Sequence, residues 1–568
     1  MGIFKVYWKK YRFMFISGVF CVFLEAVCDL LQPTILSRVI DKGVAENNLD
    51  TVILYGSIML GVALFGAVFA VIRNYMAGRV SQNLSADMRF DLFRKIQYYS
   101  VRSLDELDNA SLITRLTNDV NQAAHFAGGL MRIFLKAPLL CFGGIFMSIM
   151  LNFRLSLILI CSVIVVFFLI FFSMRLTYPL FSKVQRAIDK LNRTMREYLL
   201  GVRLIKAFGR YDYEEERFNG TNTELTSRSL AAERVLVVFT PLMTLAVNTG
   251  IVLILWFGSF KLRGGFVEIG VVIALVNYMT QILMSLMMMT NVLNMFIRMK
   301  ASAERIEEVF FKPEETLSDD GERCPIESIR FENVTFSYPG SDEPALSDIS
   351  FECEKGESIA IIGPTGSGKS TLVSLLLRFY PPTGGRILIN GKDSDEIPLY
   401  SYRKSVSVAP QKSMLFSGTI RENLLWGDTN ASSEKIGNAS RVSAADDFIG
   451  GLPDGYEHYI KQGAVNISGG QKQRLSLARA LVKPADVLII DDSIGALDAI
   501  TESRVRQGLT ELKKERILFI VTQRISTAIG SDRIMVLDEG RLIAAGPHAG
   551  LLDSCPQYRE IYRSQIGE

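Results

Sequence analysis

One short segment of the sequence combines glycines, a lysine and a serine at the spacing of a phosphate-binding loop. Residues 358–362 before it are apolar and predict a buried strand, and residues 371–380 after it predict a helix. In this setting backbone N–H groups wrap phosphates, the lysine reaches the outer phosphates and the serine hydroxyl ligates magnesium. The segment and the first residue of the helix are Gly363, Pro364, Thr365, Gly366, Ser367, Gly368, Lys369, Ser370 and Thr371.

A carboxylate at the end of a second apolar run complements this loop. Residues 487–490 are Val-Leu-Ile-Ile, and Asp491 follows them directly. An aspartate at the end of a buried strand is well placed to hold the ligand shell of magnesium beside bound phosphates. Together, the two segments predict a site for ATP with Mg²⁺ in an α/β domain.

Several further motifs carry a resemblance to a known family. Gln411 follows another β-rich run, and Tyr338 stands in Phe-Ser-Tyr-Pro. Asp498 ends Ala-Leu-Asp, and a glycine-rich turn precedes Lys-Gln-Arg-Leu-Ser-Leu-Ala-Arg. That turn consists of Ser468, Gly469, Gly470 and Gln471. With these motifs the chain resembles one half of an ATP-binding cassette (ABC) exporter, specifically the degenerate-site subunits of heterodimeric multidrug exporters.

The resemblance implies a role for each motif. Residues 468–471 would close over ATP held by a partner chain, and Tyr338 would stack on adenine. Gln411 would bind nucleotide and, with Ser370 and Asp491, magnesium. Asp498 matches the D-loop of the family and would be a further nucleotide-binding residue. ATP and Mg²⁺ are therefore the expected cofactors.

Two positions depart from the family's usual catalytic residues. Asp492 stands where the family has a glutamate as general base, and its shorter side chain draws the carboxylate back by about 1.5 Å, enough to cost about a hundredfold in rate. Gln523 stands where the family has a histidine, and an amide cannot carry a titratable proton. The three histidines, His125, His458 and His548, lie elsewhere in the sequence.

These departures, with Gln462 in place of a usual glutamate, cluster on the side of the site that activates water. A homodimer would contain two poor sites, whereas a heterodimer could keep one competent site from the partner's base and histidine and this chain's residues 468–471. We therefore expect a second exporter half as partner. A homodimeric lipid or peptide exporter, and an ATP-gated channel or sensor, remain as alternatives.

The other half of the chain is strongly apolar and predicts a membrane domain. The 568 residues are 49% hydrophobic, and six stretches are each long enough, or nearly so, for a helix to cross about 30 Å of hydrocarbon. Basic residues before the first stretch place both termini in the cytoplasm. The six stretches are 13–40, 52–72, 137–153, 155–174, 235–260 and 269–297.

The expected fold class is therefore multidomain: an all-α, six-helix transmembrane domain of the exporter type at 1–311, a charged linker at 312–325 and an α/β P-loop domain at 326–568. Residues 75–135 and 176–234 predict helices that continue into the cytoplasm, and the resemblance to the family implies that they carry coupling helices near 102–112 and 209–216. The motifs at 111–119, 205–209 and 214–218 resemble the intracellular loops of the family.

The substrate is expected to be a small hydrophobic or amphipathic molecule carried across the cytoplasmic membrane. Methionine is adaptable enough to line a cavity, although such a stripe also suits plain helix packing. The methionines of the sixth stretch are Met284, Met287, Met288, Met289, Met295 and Met299.

Two acidic residues in the first stretch are compatible with either of two roles. Glu25 and Asp29 at membrane depth indicate either a site for cationic substrates or gating, or carboxylates paired with another helix.

The net charge of +3 without a basic stripe argues against nucleic acid as a partner. We expect the membrane domain to be embedded in a lipid bilayer.

Overall fold

The computed structural model describes residues 2–315, 322–495 and 497–566, and its chain divides into two compact units. The helical unit comprises Met1–Lys95 and Ala110–Phe311, and the α/β unit comprises Ile96–Asn109 and Lys312–Glu568. The predicted linker at 312–325 lies in the α/β unit, although part of it falls outside the described residues.

The helical unit is built from long helices interrupted by short π-helical turns at Val39–Val44, Arg115–Asp119 and Leu130–Phe134. Six of its segments are long and apolar enough to cross a membrane, which confirms the predicted number. The helices of the first 311 residues are α1 (Gly2–Arg38), α2 (Leu49–Gln97), α3 (Val101–Asp105), α4 (Asn109–Thr114), α5 (Val120–Gly129), α6 (Lys136–Leu151), α7 (Phe153–Phe208), α8 (Tyr211–Arg263) and α9 (Ile269–Phe311).

Several of these helices are much longer than a membrane is thick. Helix α7 has 56 residues and, at about 1.5 Å per residue, a length of about 84 Å. Its apolar stretch at 155–174 accounts for about 30 Å of that length. The long polar segments are therefore continuations of the membrane helices, as the sequence predicts.

The second predicted coupling helix, at 209–216, is wrong in that these residues do not form a separate helix. Helix α7 ends at Phe208, and Gly209 adopts a left-handed conformation with φ of 62° that a glycine accepts without strain. Helix α8 begins two residues later at Tyr211, so residues 211–216 are its first turns. The first predicted region, 102–112, falls on two short helices, α3 and α4.

The α/β unit contains a six-stranded sheet and a four-stranded antiparallel sheet. The six-stranded sheet has the order β12-β11-β3-β10-β9-β6, and all of its neighbouring pairs are parallel except β11 with β12. The four-stranded sheet has the order β2-β1-β4-β5, and β7 pairs with β8 in a separate two-stranded sheet. The strands are β1 (Ser328–Phe336), β2 (Leu346–Glu354), β3 (Ser358–Ile362), β4 (Gly384–Ile389), β5 (Lys392–Asp393), β6 (Val406–Ala409), β7 (Gly418–Thr419), β8 (Tyr459–Ile460), β9 (Val487–Asp491), β10 (Ile517–Val521), β11 (Arg533–Asp538) and β12 (Arg541–Gly546).

Helices cover both faces of the six-stranded sheet, which explains why its central strands are continuously apolar. Along β9, Val487 and Ile489 join one hydrophobic core while Leu488 and Ile490 join another. The helices of this unit, besides α3, are α10 (Lys369–Leu376), α11 (Leu399–Lys404), α12 (Ile420–Leu425), α13 (Ser433–Val442), α14 (Asp446–Gly450), α15 (Gly469–Val482), α16 (Ala499–Leu512), α17 (Ile525–Ala528), α18 (His548–Ser554) and α19 (Pro556–Ile566).

Residues 96–109 interrupt the helical unit and pack with the α/β unit. Val101 of α3 contacts the core that contains β1, and the backbone N–H of Glu315 donates to the carbonyl of Tyr98 at 2.7 Å. The carboxylate of Glu315 forms a two-point pair with the guanidinium of Arg403, at 2.6 and 2.9 Å. The short helix α3 is therefore held by the same unit that carries the nucleotide motifs.

In the helical unit, Glu25 is paired with cations of two other helices. Its carboxylate lies 3.0 Å from the Nε of Arg73 on α2 and 2.5 Å from the Nζ of Lys136 on α6. Lys136 also contacts Asp29, at 2.8 Å. Only 5% of Glu25 is exposed. This geometry favours the paired-carboxylate alternative for Glu25 over a site for cationic substrates.

We expect Glu25→Gln to destabilise the assembled transporter by about 3 kcal/mol, because it leaves the buried guanidinium of Arg73 without a carboxylate. Asp29→Asn is the matched control: Asp29 is more exposed, and its one ion pair among the described residues is with Lys136, so its loss should cost less than about 1 kcal/mol. Thermal unfolding of the purified protein measures both. Equal unfolding midpoints for Glu25→Gln and wild type, with transport of cations lost, would contradict the structural role.

Candidate nucleotide site

The predicted site residues lie along one edge of the six-stranded sheet. The order of the four relevant strands is β3-β10-β9-β6, and each of them ends immediately before or within a predicted motif. Gly363 follows β3, Gln523 lies just past β10, Asp491 ends β9 and Gln411 lies just past β6. The carboxyl ends of parallel strands meet at one edge, where α/β proteins bind their ligands. Strand order, which the sequence does not reveal, thus unites residues up to 160 positions apart.

The phosphate loop turns back sharply between β3 and α10. Gly366 and Gly368 have φ values of 88° and 98°, in the left-handed region where a side chain is strained. A Cβ at Gly368 would also stand 2.6 Å from the side chain of Leu346. These glycines let the loop pass close to β2 while the N-terminus of α10 stays open to an anion.

Lys369 folds its side chain back into the loop. Its ammonium donates to the carbonyls of Gly363 and Pro364, at 2.8 and 2.7 Å, and only 9% of the residue is exposed. Burial lowers the pKa of Lys369, and the nearby charges of Asp492 and Asp491 oppose that shift. The carbonyl contacts therefore hold the ammonium inside the loop that would wrap the phosphates of a bound nucleotide.

The two adjacent carboxylates differ in their surroundings. Burial raises the pKa of Asp491, and the negative charge of Asp492 raises it further. Burial also raises the pKa of Asp492, against the opposing effects of Lys369, of the side chain of Gln411 and of the backbone N–H of Gln523. Gln411 and the backbone of Gln523 thus lie close to the carboxylate of Asp492.

The backbone of Asp492 is itself unusual. Its φ of 46° lies in the left-handed region, which aspartate tolerates better than most residues, and its N–H donates to the carbonyl of Val521 at 2.9 Å. A Cβ at Gly495 would stand 2.8 Å from the carboxylate of Asp492. Both observations show that the side chain is packed in a defined direction.

The donor set suits magnesium only in the presence of a nucleotide. Ser370, Gln411 and Asp491 offer a hydroxyl, an amide oxygen and a carboxylate, which are the hard oxygen ligands that Mg²⁺ prefers. Among the described residues, no three side chains of histidine, cysteine, aspartate or glutamate form a group able to hold a metal. Bound phosphates would therefore have to complete the coordination.

Tyr338 lies in a small aromatic cluster beside the phosphate loop. Its hydroxyl donates to that of Thr371 at 3.3 Å, and its ring meets that of Tyr380 edge-to-face with centroids 5.5 Å apart. The hydroxyl of Tyr380 in turn donates to the carboxylate of Asp105, in α3. About a third of Tyr338 is exposed, so one part of the ring is free to stack on a base.

The turn at 468–471 begins helix α15 and points away from the protein's own core. The Ser468 hydroxyl accepts from the N–H of Gln471 at 3.3 Å, and the Gln471 amide oxygen accepts from the N–H of Ser468 at 3.0 Å, a reciprocal cap. A Cβ at Gly469 or Gly470 would meet no other described part of the chain within 4 Å. Packing within the described residues therefore does not require glycine at these two positions.

The turn at 468–471 and the phosphate loop belong to different parts of the α/β unit. Helix α10 packs into the core on one face of the six-stranded sheet and α15 into the core on the other. In the described part of the chain, no hydrogen bond joins the turn to the loop 363–370. Asp498 caps α16 by accepting from the N–H of Thr501 at 3.1 Å, and its side chain is exposed.

One residue near the site had no signal in the sequence. The side chain of Gln565, in α19, donates to the carbonyl of Gln523 at 2.7 Å and accepts from the N–H of Ile525 at 2.8 Å. These two bonds fix the segment that carries Gln523. A lone glutamine in an amphipathic helix carries no pattern, so only the structure reveals its contact.

The fold and the site together define an exporter with a membrane domain fused to an ATP-binding domain. Residues 14–286 match the model of the ABC transporter transmembrane region, and residues 346–495 match that of the ABC transporter. The ABC transporter ATP-binding protein YfiB of Bacillus subtilis (strain 168) is 37% identical over 98% of this chain and 97% of its own length. The chain belongs to the ABC transporter family, and its transport is coupled to an ATPase.

Two other similarities extend over nearly the whole chain. The ATP-dependent lipid A-core flippase of Chromobacterium violaceum is 31% identical over 100% of this chain and 97% of that protein. A solved structure of a bacterial Atm1-family ABC exporter with ATP bound has a TM-score of 0.81 and 26% identity, covering 98% of this chain and 99% of that one. The predicted fold class is thereby confirmed.

We expect Tyr338→Ala to weaken ATP binding by about tenfold, because stacking of a base on an aromatic ring contributes about 1–3 kcal/mol. Tyr338→Phe is the matched control and should bind nearly as wild type, since the 3.3 Å contact with Thr371 is a long hydrogen bond. Titration of the purified protein with a fluorescent ATP analogue measures both variants. Equal weakening by Phe and Ala would assign the effect to the hydroxyl instead of the ring.

Proposed function

We propose that this chain is one subunit of a heterodimeric ABC exporter that carries hydrophobic or amphipathic small molecules across the cytoplasmic membrane. The site on its own phosphate loop would be degenerate, and hydrolysis would take place mainly at the site completed by this chain's residues 468–471. ATP with Mg²⁺ would be used at both sites. The observation that carries the proposal is the environment of Asp492 and Gln523.

Asp492 is poorly suited to activate water. Burial raises the pKa of Asp492, but the neighbouring side chain of Gln411 and backbone N–H of Gln523 favour its charged form and so weaken it as a base. Its side chain is one methylene shorter than that of glutamate, and an error of about 1 Å in placing a catalytic group can cost about a hundredfold. These two features support slow hydrolysis at this site.

No histidine is in a position to replace Gln523. His548 shares a hydrogen bond of 2.7 Å with the hydroxyl of Tyr558, and His458, directly before β8, lies 3.4 Å from the side chain of Asn466. His125 belongs to the helical unit. Gln523 can donate a hydrogen bond to a phosphate, but it cannot exchange a proton near neutral pH.

Two exposed surfaces of this chain are suited to contact a partner chain. The open backbone at Gly469 and Gly470, at the start of a helix of 14 residues, is suited to approach phosphates held by another chain. The turn between α7 and α8 exposes 72% of Phe208, 54% of Tyr211 and 60% of Tyr213. A cluster of large exposed apolar side chains indicates a surface that another protein covers.

The proposed cycle follows from these positions. Lys369 and the backbone of residues 363–368 would hold one ATP, Tyr338 would stack on its base, and Ser370 with Asp491 would ligate magnesium. The partner's 468–471 equivalent would close over this ATP, while this chain's turn would close over the partner's. Closure would turn the membrane helices outward, and hydrolysis at the partner's phosphate loop would reset them.

Basic residues near the N-terminus and exposed methionines support the proposed orientation and substrate. Lys9, Lys10 and Arg12 precede the first apolar stretch, which favours cytoplasmic termini. Met284, Met287, Met288 and Met289 are each between 38% and 53% exposed within this chain, so they do not pack into its own core. Exposed methionines suit a surface that accepts varied apolar molecules.

A homodimeric lipid exporter is the second candidate, because a relative of 31% identity is a lipid A-core flippase. An ATP-gated channel or sensor is the third. Flux into sealed vesicles separates pumps from channels, because only a pump accumulates substrate against a gradient.

We expect the chain purified without a partner to bind ATP but to hydrolyse it about a hundredfold more slowly than the heterodimer, because Asp492 and Gln523 replace both proton-handling groups. Asp492→Glu should recover only part of the rate, since the histidine is still missing. Robust magnesium-dependent hydrolysis by a verified homodimer of this chain would contradict the proposal.

In the heterodimer, we expect Gly470→Leu to abolish nearly all hydrolysis, because a side chain there would obstruct close approach to the partner's ATP. Lys369→Ala should leave a substantial fraction, since it removes a phosphate contact only where turnover is already slow. Steady-state ATPase activity of the purified pair measures both.

Gly437→Leu is the control for the added side chain. A Cβ at Gly437, in α13, also meets no atom within 4 Å, and the residue lies outside the proposed site. It should leave ATPase activity unchanged. If Lys369→Ala is as severe as Gly470→Leu, the two ATP sites are equivalent and the asymmetric mechanism is wrong.

A further inference from the structure

A polar cavity in the helical unit plays no part in the nucleotide chemistry. Its volume is 610 Å³, and α2, α5, the π-turn Leu130–Phe134 and α9 line it. The cavity is lined by Gln82, Gln122, His125, Arg132, Met295 and Arg298, among others. Its lining contains two arginines and no carboxylate.

Neither arginine is neutralised within the described part of the chain. Arg132 and Arg298 are both exposed, and no ion pair joins either of them to a described acidic residue. The nearby carboxylates are already occupied: Glu25 by Arg73 and Lys136, and Asp29 by Lys136. The cavity therefore presents a net positive charge.

The sequence places this cavity at one end of the membrane-crossing region. Gln82 lies beyond the apolar stretch 52–72 of α2, and Arg298 directly follows the stretch 269–297 of α9. Arg132 comes shortly before the stretch 137–153. Followed along the chain, the second and sixth spans leave the hydrocarbon and the third enters it, all three on the same side of the membrane. The arginines thus lie where headgroups meet the acyl region.

One face of α5 explains why the polar side chains turn toward the cavity. Gln122, His125 and Gly129 lie on the cavity side, whereas Ala123, Phe126 and Ala127 line a separate apolar pocket with Tyr7 and Trp8 of α1. The apolar face is thereby used for packing against α1. The polar face remains open.

We propose that this cavity binds the anionic headgroup of an amphiphile, a phosphate or a carboxylate, with Arg132 and Arg298 as its cationic ligands. Guanidinium groups bind such anions through paired hydrogen bonds, and Gln82 and Gln122 supply further donors. The inference rests on the proposed exporter function and names the class of its substrate: an anion instead of the cation that Glu25 suggests from sequence alone.

The test is binding without nucleotide, with the assembled transporter in nanodiscs of phosphatidylcholine. The probes are oleoyl lysophosphatidic acid and oleoyl lysophosphatidylcholine, which share an acyl chain and differ in headgroup charge. Binding is counted above that of empty nanodiscs. We expect the phosphate probe to bind at least about tenfold more tightly than the choline probe. Equal binding of the two probes overturns the proposal and needs no variant.

Two variants and a control assign the site. Arg132→Gln and Arg298→Gln should each weaken binding of the phosphate probe by about tenfold and leave the choline probe unchanged. Arg79→Gln removes a charge from the same part of α2, where Arg79 lies 3.4 Å from the hydroxyl of Tyr75 and does not line the cavity. It should change neither probe. Equal weakening by Arg79→Gln would mean general surface attraction and overturn the proposal.

Competition identifies the source of the anion. Displacement of the phosphate probe by millimolar inorganic phosphate supports the anion site and indicates a soluble ligand, whereas resistance to phosphate supports it and indicates a lipid headgroup. Because binding is measured without ATP, its failure leaves the proposed export function intact. ATPase activity of the same samples, measured separately, tests that function.

Discussion

The ATP site depends on the parallel alignment of four strands, β3, β10, β9 and β6. Their carboxyl ends place an ammonium, two carboxylates and two amides at one edge, where charges of both signs surround the space for phosphates. Without phosphates, Lys369 bonds to the carbonyls of its own loop. Burial raises the pKa of Asp491 and Asp492 and lowers that of Lys369, so the site is arranged to favour a ligand that brings its own charge and metal.

The same principle, that buried charge needs a partner, accounts for the membrane-facing half. Glu25 at membrane depth is compensated by Arg73 and Lys136, contributed by two other helices. This ties together the helices α1, α2 and α6. Arg132 and Arg298 have no such carboxylate partners among the described residues. The charges around Glu25 therefore form a structural cluster, whereas the two arginines belong to a candidate substrate site.

The sequence predicts those parts of the molecule that depend on local pattern. The glycines and lysine of the phosphate loop, the apolar strand before Asp491 and the six apolar stretches each carry their signal within a few residues. Contacts between distant residues carry none: the pairing of Glu25 with Arg73, the bonds from Gln565 to the backbone around Gln523 and the contact of Asp105 with Tyr380 each join separate elements. The resemblance to the family implied a coupling helix at 209–216, but the left-handed turn at Gly209 and the start of the long helix α8 at Tyr211 leave no separate helix there.

In the proposed mechanism, the two ATP sites of the assembled exporter differ in their chemistry. Trapping with vanadate tests it most directly, because vanadate stabilises the state after bond cleavage and holds ADP where hydrolysis has occurred. The purified pair is incubated with ATP, magnesium and vanadate, and the chain whose phosphate loop retains ADP is identified by photolabelling with an azido-nucleotide. We expect trapped ADP on the partner's phosphate loop and uncleaved ATP on the loop at 363–370 of this chain. Equal trapping of ADP on both loops would contradict it.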